Sequence, residues 1–174
     1  MIYKENNVFD EALERIRMLF DTHEDIIVCM SGGKDSTVLF ELALMVAREK
    51  NRLPLKVFWL DQEAEWQATV DYMNYIMRLP EVDPYWYQIS FDFTNSLSAQ
   101  KNFLRVYDES CKEKWIHPKV DISIKENPSK YNRYHDLVVH LPEYITDKNC
   151  AVLVGMRMVE SPRRRMSITG SAGK

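Results

Sequence analysis

Cysteine, long hydrophobic runs and excess positive charge are all scarce in this chain of 174 residues. Its three cysteines form no Cys-x-x-Cys pair and have no spacing typical of a zinc or iron–sulfur site. The longest apolar stretches, Asp25 to Met30 and Cys150 to Met158, are too short or too interrupted to cross a bilayer, and the first residues lack the layout of a signal peptide. We therefore expect a cytoplasmic protein with no membrane span.

The charge balance argues against a protein that coats nucleic acid. The net charge is −3, so any nucleic-acid contact would be confined to a local basic patch, and Arg163–Arg165 is the candidate. This run is either a solvated helix face or a contact for nucleic acid or an anionic substrate. With 45% hydrophobic and 28% charged residues and no internal repeat, residues 1–174 are predicted to form one globular domain.

Hydrophobic periodicity predicts an alternation of helices and strands. Helices are expected at Phe9–Phe20, Asp35–Lys50, Trp66–Leu79 and Arg133–Tyr144, and strands at Asp25–Met30, Leu55–Leu60, Tyr85–Phe91 and Ala151–Val154. This order predicts an α/β fold, a doubly wound, mostly parallel sheet with helices on both faces and a ligand site at the carboxyl ends of its strands. An insertion at about 92–132 is predicted to be short helices and irregular chain, with a functional or partner-facing role.

The sequence Ser31-Gly-Gly-Lys-Asp-Ser-Thr37 interrupts the alternation between the first strand and its helix. Gly32 and Gly33 allow a sharp turn that points backbone N–H groups at an anion, and the helix that follows adds its positive dipole end. Lys34 supplies a mobile charge, and the hydroxyls of Ser31, Ser36 and Thr37 supply further polar contacts. A plain glycine turn capped by Asp35 or Ser36 would explain neither Lys34 nor the paired glycines. We interpret the loop as a phosphate cradle.

The spacing of this loop differs from that of a Walker-type loop, because Asp35 stands where Ser or Thr would follow the lysine. Ser31-Gly-Gly-Lys-Asp-Ser36 instead resembles the pyrophosphatase loop of the PP-loop ATPases, which share an adenine nucleotide α-hydrolase-like fold. The resemblance implies that residues 31–37 bind ATP and that Lys34 stabilises the departing pyrophosphate during adenylyl transfer to a substrate oxygen. It also implies Mg²⁺, with Asp35 as a metal ligand or, alternatively, as a helix cap.

A second motif, Gly155-Met-Arg-Met-Val-Glu-Ser161, is similar to the Gly-x-Arg-x-x-Glu-Ser signature of the phosphoadenosine-phosphosulfate reductase family. The resemblance implies that Gly155 and Arg157 approach the nucleotide phosphates and that Glu160 orients Arg157 or neighbouring donors. A surface Arg–Glu pair is the alternative. Asp61 follows the second strand and lies either on the ribose or substrate side of the crevice or in a solvated acidic turn.

The wording of the motifs is closest to the prophage co-activator, DNA-phosphorothioation and ATP sulfurylase small-subunit branches of that family. The sequence lacks the Glu-Cys-Gly-x-His segment of the reductases, so thiol-based reduction of a sulfonucleotide is not expected, and Cys111 is interpreted as a packing or surface residue. Retention of Lys34 and Asp35 favours ATP as the ligand. Two hypotheses follow: an adenylyl-transferring enzyme with Lys34 and Arg157 as catalytic residues, or a nucleotide-binding co-activator that acts with a protein partner.

Overall fold

The computed structural model describes residues 7–97 and 100–157. The α-helices are α1 (Val8–Thr22), α2 (Lys34–Glu49), α3 (Gln67–Met77) and α4 (Tyr134–His140). The strands are β1 (Asp25–Cys29), β2 (Leu55–Leu60), β3 (Val82–Tyr87), β4 (Phe91–Thr94), β5 (Phe103–Val106) and β6 (Cys150–Val154). Short 3₁₀ helices cover Glu109–Lys114 and Leu141–Tyr144. Within these described ranges, no helix has both the length and the hydropathy needed to cross a membrane.

Four strands form a parallel sheet in the order β3-β2-β1-β6. The chain moves from β1 to β2 and β3 on one side and later places β6 on the other side of β1. The strand order therefore reverses between β1 and β6, which makes their carboxyl ends the topological switch point where α/β sheets bind ligands.

Alternate residues of each strand point to opposite sides of the sheet. Both faces are buried, because a hydrophobic core covers each of them. On one side, Val28 and Trp59 belong to the core that holds α1, α2 and α3. On the other side, Ile27 and Phe58 belong to a second core that holds α4 and the Leu141–Tyr144 turn. The predicted fold class, a parallel sheet with helices on both faces, is confirmed.

The third strand begins and ends earlier than predicted. It was expected at Tyr85–Phe91 but runs from Val82 to Tyr87, with Pro84 opposite Val57 of β2. Proline cannot donate to a strand ladder, yet β3 is at the edge of the described sheet, where one side of the strand needs no donor. Pro84 therefore lies within the strand instead of preceding it.

The 92–132 segment contains an antiparallel hairpin that sequence analysis did not predict. β4 and β5 pair from Phe91 opposite Val106 to Thr94 opposite Phe103. Phe91 and Val106 are buried in the second core, so the hairpin covers part of the sheet face rather than extending into solvent. This placement brings the hairpin close to the loop that follows β2.

Candidate nucleotide site

The phosphate loop begins where β1 ends and lies at the switch point of the sheet. Gly32 has a φ of +68°, a conformation that side chains with a Cβ rarely adopt. A Cβ at this position would also lie 2.5 Å from Cγ2 of Thr69 on α3. Gly33 has an ordinary φ, and a Cβ there would meet only Ser31 Oγ at 3.4 Å. The turn and its close packing on α3 thus require glycine at position 32 more strictly than at position 33.

Two hydroxyls hold the loop in this shape. Ser36 Oγ donates to the carbonyl of Gly33 at 2.9 Å and accepts the backbone N–H of Ser31 at 3.2 Å. Thr37 Oγ1 donates to the same carbonyl at 3.0 Å. Ser36 is buried. The hydroxyls of Ser36 and Thr37 therefore stabilise the backbone of the loop. Ser31 is exposed, and its Oγ lies 3.1 Å from Ser36 Oγ.

The first turn of α2 presents its backbone donors at this loop. The helix begins after Gly33, which supplies no side-chain cap, so the initial N–H groups keep the anion-binding character of a helix N-terminus. Lys34 is 74% exposed, and its Nζ atom lies 3.1 Å from Oδ2 of Asp35. Because the ammonium group is held only at the surface, it can swing from Asp35 to a phosphate that arrives at the loop.

Gly155, just beyond β6, packs directly on the start of α2. A Cβ at Gly155 would come within 2.9 Å of the backbone of Asp35 and Ser36. This contact joins the two predicted motifs at the switch point, and it explains why glycine is needed there. Arg157 lies two residues further and is exposed. Glu160 and Arg163–Arg165 lie outside the described residues.

A cleft of about 140 Å³ opens beside the loop. It is lined by the loop and β6 through Ser31, Ser36, Val154 and Gly155, by β2 through Phe58 and Leu60, by α4 through Tyr134 and Val138, and by Cys29, Gln62 and Glu65. Polar loop atoms and apolar side chains thus meet in one cavity, as a site for a phosphorylated ring compound requires. Burial raises the pKa of the Cys29 thiol to about 12, so this cysteine is protonated at neutral pH.

Glu65 is an acidic residue of this cleft that the sequence analysis did not single out. Burial raises its pKa, the negative charge of Asp61 raises it further, and His117 acts in the opposite direction. Tyr134, also missed, accepts a hydrogen bond from Gln62 Nε2 at 3.1 Å across the cleft. The sequence gives little indication of either residue, because Glu65 is only the last acid of an acidic loop and Tyr134 begins a helix far along the chain.

Asp61 does not line the cleft but is fully buried in a polar cluster with Trp86, Gln88, Tyr107 and His117, here called the Asp61 cluster. Its carboxylate accepts hydrogen bonds from Trp86 Nε1 at 3.0 Å and Gln88 Nε2 at 2.9 Å. His117 Nε2 lies 3.3 Å from its second oxygen. The interpretation of Asp61 as part of a solvated turn is wrong, and its carboxylate is occupied by internal donors.

The contacts within the Asp61 cluster shift the pKa values of Asp61 and His117 in the directions that favour their charged forms. Burial alone would raise the pKa of Asp61, but the hydrogen bonds and charge of His117, the Glu63 backbone and Trp86 bring that pKa below its usual value. The hydrogen bond to Asp61 raises the pKa of His117, against the opposing effect of burial. Burial and the nearby Asp61 charge also raise the pKa of Tyr107, so its hydroxyl stays neutral.

Glu63 fastens the chain that follows the hairpin onto the loop after β2. Its carboxylate accepts the backbone N–H of Tyr107 at 2.5 Å and that of Ile116 at 3.2 Å. Glu63 itself has a φ of +63°, a strained conformation for a residue with a side chain. Such strain persists where surrounding contacts fix the backbone, and here the backbone N–H of Glu63 donates to Oδ1 of Asp61 at 2.8 Å.

The described residues contain no group of three or more His, Cys, Asp or Glu side chains able to hold a metal ion. Magnesium is commonly bound by one or two carboxylates together with substrate phosphates. Asp35 fits the role of one such carboxylate, because it lies on the first turn of α2 beside the loop. Its chemistry is compatible with a magnesium ion that arrives with a nucleotide.

A parallel sheet with a glycine loop at its switch point, a helix N-terminus and an adjoining cleft defines an α/β domain with a candidate ligand site at the carboxyl ends of its strands. The chain belongs to the phosphoadenosine phosphosulfate reductase domain family, whose sequence profile matches residues 25–169. It is also similar to an uncharacterized protein of Escherichia coli (strain K12), YbdN, at 26% identity over 175 residues. That match covers 93% of this chain and 41% of YbdN, so the chain spans less than half of its relative.

Proposed function

We propose that this domain binds ATP with Mg²⁺ and transfers its adenylyl group to a substrate oxygen, releasing pyrophosphate. The observation that carries the proposal is the loop at residues 31–37, which combines a positive-φ glycine, an uncapped helix N-terminus and an exposed lysine at the sheet's switch point. These groups suit the β- and γ-phosphates, where negative charge grows as pyrophosphate departs.

The neighbouring cleft supports a place for the rest of the nucleotide. Its apolar lining from Phe58, Leu60 and Val138 suits a purine ring, while Ser31 and Gly155 connect the cleft to the loop. Arg157 follows Gly155 and would add a guanidinium to the phosphates. Magnesium, held by Asp35 and the phosphates, would supply charge neutralisation on the leaving group. Lys34 and the loop amides orient the leaving group in line with the attacking oxygen.

Pyrophosphate exchange tests this proposal. Protein, ATP, Mg²⁺ and labelled pyrophosphate are incubated with candidate acceptors, and label entering ATP is counted. We expect exchange by the wild type and about a hundredfold less with Lys34→Ala, because one preorganised cationic donor is lost. Lys148→Ala is the matched control. Lys148 is exposed and comes just before β6, near the amino ends of the strands, whereas the loop follows the carboxyl end of β1. Formation of ADP and phosphate instead of AMP and pyrophosphate would contradict the proposal.

A co-activator module that binds ATP and acts through a protein partner is the second candidate. It is supported by large apolar side chains exposed beside the loop: Trp66, which precedes α3, is 84% exposed and Val38 of α2 is 59% exposed. Exposed apolar side chains indicate a partner contact where they form a continuous patch, as these two would if a partner bound beside the loop. ATP binding that depends on Lys34, with no exchange in any acceptor mixture, would favour this candidate over the enzyme.

A further inference from the structure

The loop after β2 carries three acidic side chains, and the protein itself supplies donors to only two of them. Asp61 accepts hydrogen bonds from buried side chains, and Glu63 accepts two backbone N–H groups. Among the described residues, none donates a hydrogen bond to Glu65 or forms an ion pair with it. Glu65 is nevertheless partly buried. A carboxylate removed from water without donors is unfavourable, so a ligand that brings a donor would stabilise it.

The side chain of Glu65 belongs to the wall of the cleft beside the phosphate loop. It lines this cleft together with Ser31, Gly155 and Tyr134. Burial raises the pKa of the Tyr134 hydroxyl, and the negative charge of Glu65 raises it further. The carboxylate therefore lies within electrostatic reach of the hydroxyl that Tyr134 contributes to the same cleft. A ligand in the cleft would meet both groups.

The position of Glu65 along the cleft follows from the start of α3. The helix begins at Gln67, and its Thr69 packs against the turn at Gly32. The chain from Glu65 to Thr69 thus runs from the wall of the cleft to the phosphate loop. A sugar that joins a ring on the apolar lining to phosphates at the loop would pass along this wall.

The electrostatics of the cleft favour a neutral donor over a second anion. Glu65 is the one charged side chain among the described residues that line it. Burial and the negative charge of Asp61 raise the pKa of Glu65, and the charge of His117 opposes them. A hydroxyl that donates to the carboxylate compensates for its lost hydration, whereas a phosphate group would add repulsion in a space that screens charge less than water does.

We infer that Glu65 accepts a hydrogen bond from a ribose hydroxyl of the nucleotide and excludes nucleotides that carry a phosphate on that ribose. This inference rests on the proposed nucleotide site. Glu65 is then a specificity-determining residue, because it contacts the sugar and not the phosphorus at which adenylyl transfer takes place. The cleft would accept adenosine nucleotides with free ribose hydroxyls and reject their 3′-phosphorylated forms.

Calorimetric titration of three nucleotides into the full chain tests this selection without any reaction. The probes are AMP, its 2′,3′-dideoxy analogue and adenosine 3′,5′-bisphosphate. We expect AMP to bind and each of the other two to bind about tenfold more weakly, since one lacks the hydroxyl donors and the other meets the carboxylate. Glu65→Gln should bring the affinity for the bisphosphate about tenfold closer to that for AMP, because the charge is removed. Glu65→Asp retains the charge and should retain the preference for AMP.

Glu14→Gln is the matched control. It removes the same charge from an exposed position of α1, and none of the described residues that line the cleft belongs to that helix. We expect it to leave the three relative affinities unchanged. Equal binding of the bisphosphate and AMP by the wild type, a ratio unaltered by Glu65→Gln, or no binding of AMP at millimolar concentration would overturn the inference. A preference for AMP without pyrophosphate exchange would instead overturn the proposed reaction and leave the role of Glu65 supported.

Discussion

The loop after β1 and the loop after β2 leave the same edge of the sheet but meet opposite environments. The phosphate loop exposes Lys34 and leaves the start of α2 without a cap, so its polar groups are available to a ligand. The loop after β2 sends Asp61 into the interior, where Trp86, Gln88 and His117 surround its carboxylate. Charged residues at neighbouring strand ends therefore differ in role: those of the first loop are left accessible to a ligand, whereas Asp61 holds the chain in place.

Of the substitutions considered, we expect Asp61→Ala to reduce the stability of the fold most. Removing the carboxylate leaves the ring of His117 and the N–H donors of Trp86 and Gln88 buried without their acceptor. We expect the free energy of unfolding to fall by about 3–5 kcal/mol, measured by urea denaturation. The control is Asp35→Ala, whose partly exposed partner Lys34 can be solvated, with an expected loss below about 1 kcal/mol. A loss from Asp61→Ala as small as that of the control would contradict this difference in role.

The two glycines of the loop after β1 are expected to differ in how much an alanine destabilises the fold. Gly32→Ala combines a positive φ with a 2.5 Å approach to Thr69, whereas Gly33→Ala meets only Ser31 Oγ at 3.4 Å. We expect thermal unfolding to show a loss of about 1–3 kcal/mol for Gly32→Ala and less than about 1 kcal/mol for Gly33→Ala. The reverse order of stabilities would show that the turn described here is wrong.

The pH dependence of stability should depend on the Asp61 cluster. The pKa of His117 is raised above 6.5 in the folded state, so the stabilisation by its charge is complete below that value and is lost as the pH rises through the folded pKa. The pKa of Asp61 is lowered below 3.8, so its contribution is complete above that value and is lost as the pH falls through the folded pKa.

The test is the difference in unfolding free energy between wild type and His117→Gln across pH. We expect this difference to be largest between about 4 and 6.5, from the ordinary pKa values of the two groups, and to shrink above that window. His135→Gln is the control, because His135 is exposed and shows no such pairing with a buried carboxylate. A difference that grows as the pH rises beyond the window would mean that His117 is buried neutral.

Periodicity and the glycine motif were sufficient to predict the parallel sheet, its main helices and the position of the glycine loop between β1 and α2. Helix α2 has apolar residues at helical spacing and strand β2 is a short, nearly continuous apolar run. The right-handed connections of parallel strands then set which elements are neighbours in space. The β4–β5 hairpin was missed because each strand has four residues, too few for alternation to stand out. The third strand starts earlier than predicted because β3 lies at the edge of the described sheet, where Pro84 breaks no hydrogen bond of the ladder. The local sequence does not reveal this edge position.

The part of the candidate site that consists of short local motifs could be predicted, whereas the part made by long-range contacts could not. Residues 31–37 and Gly155 form compact motifs, and the structure brings them into contact. The pairing of Asp61 with His117 arises from the path of the chain after β3, which places a distant segment against the end of β2. No local spacing records such contacts. A glutamine at position 88, directly after the apolar strand β3, is the one local sign that a buried polar group lies there.

Calorimetric titration with Mg²⁺-pyrophosphate tests directly whether the loop at residues 31–37 holds the pyrophosphate part of ATP. We expect pyrophosphate to bind, to compete with ATP, and to lose about tenfold or more in affinity with Lys34→Ala but not with Lys148→Ala. Pyrophosphate binding that is absent, or that is unchanged by Lys34→Ala, would contradict the claim.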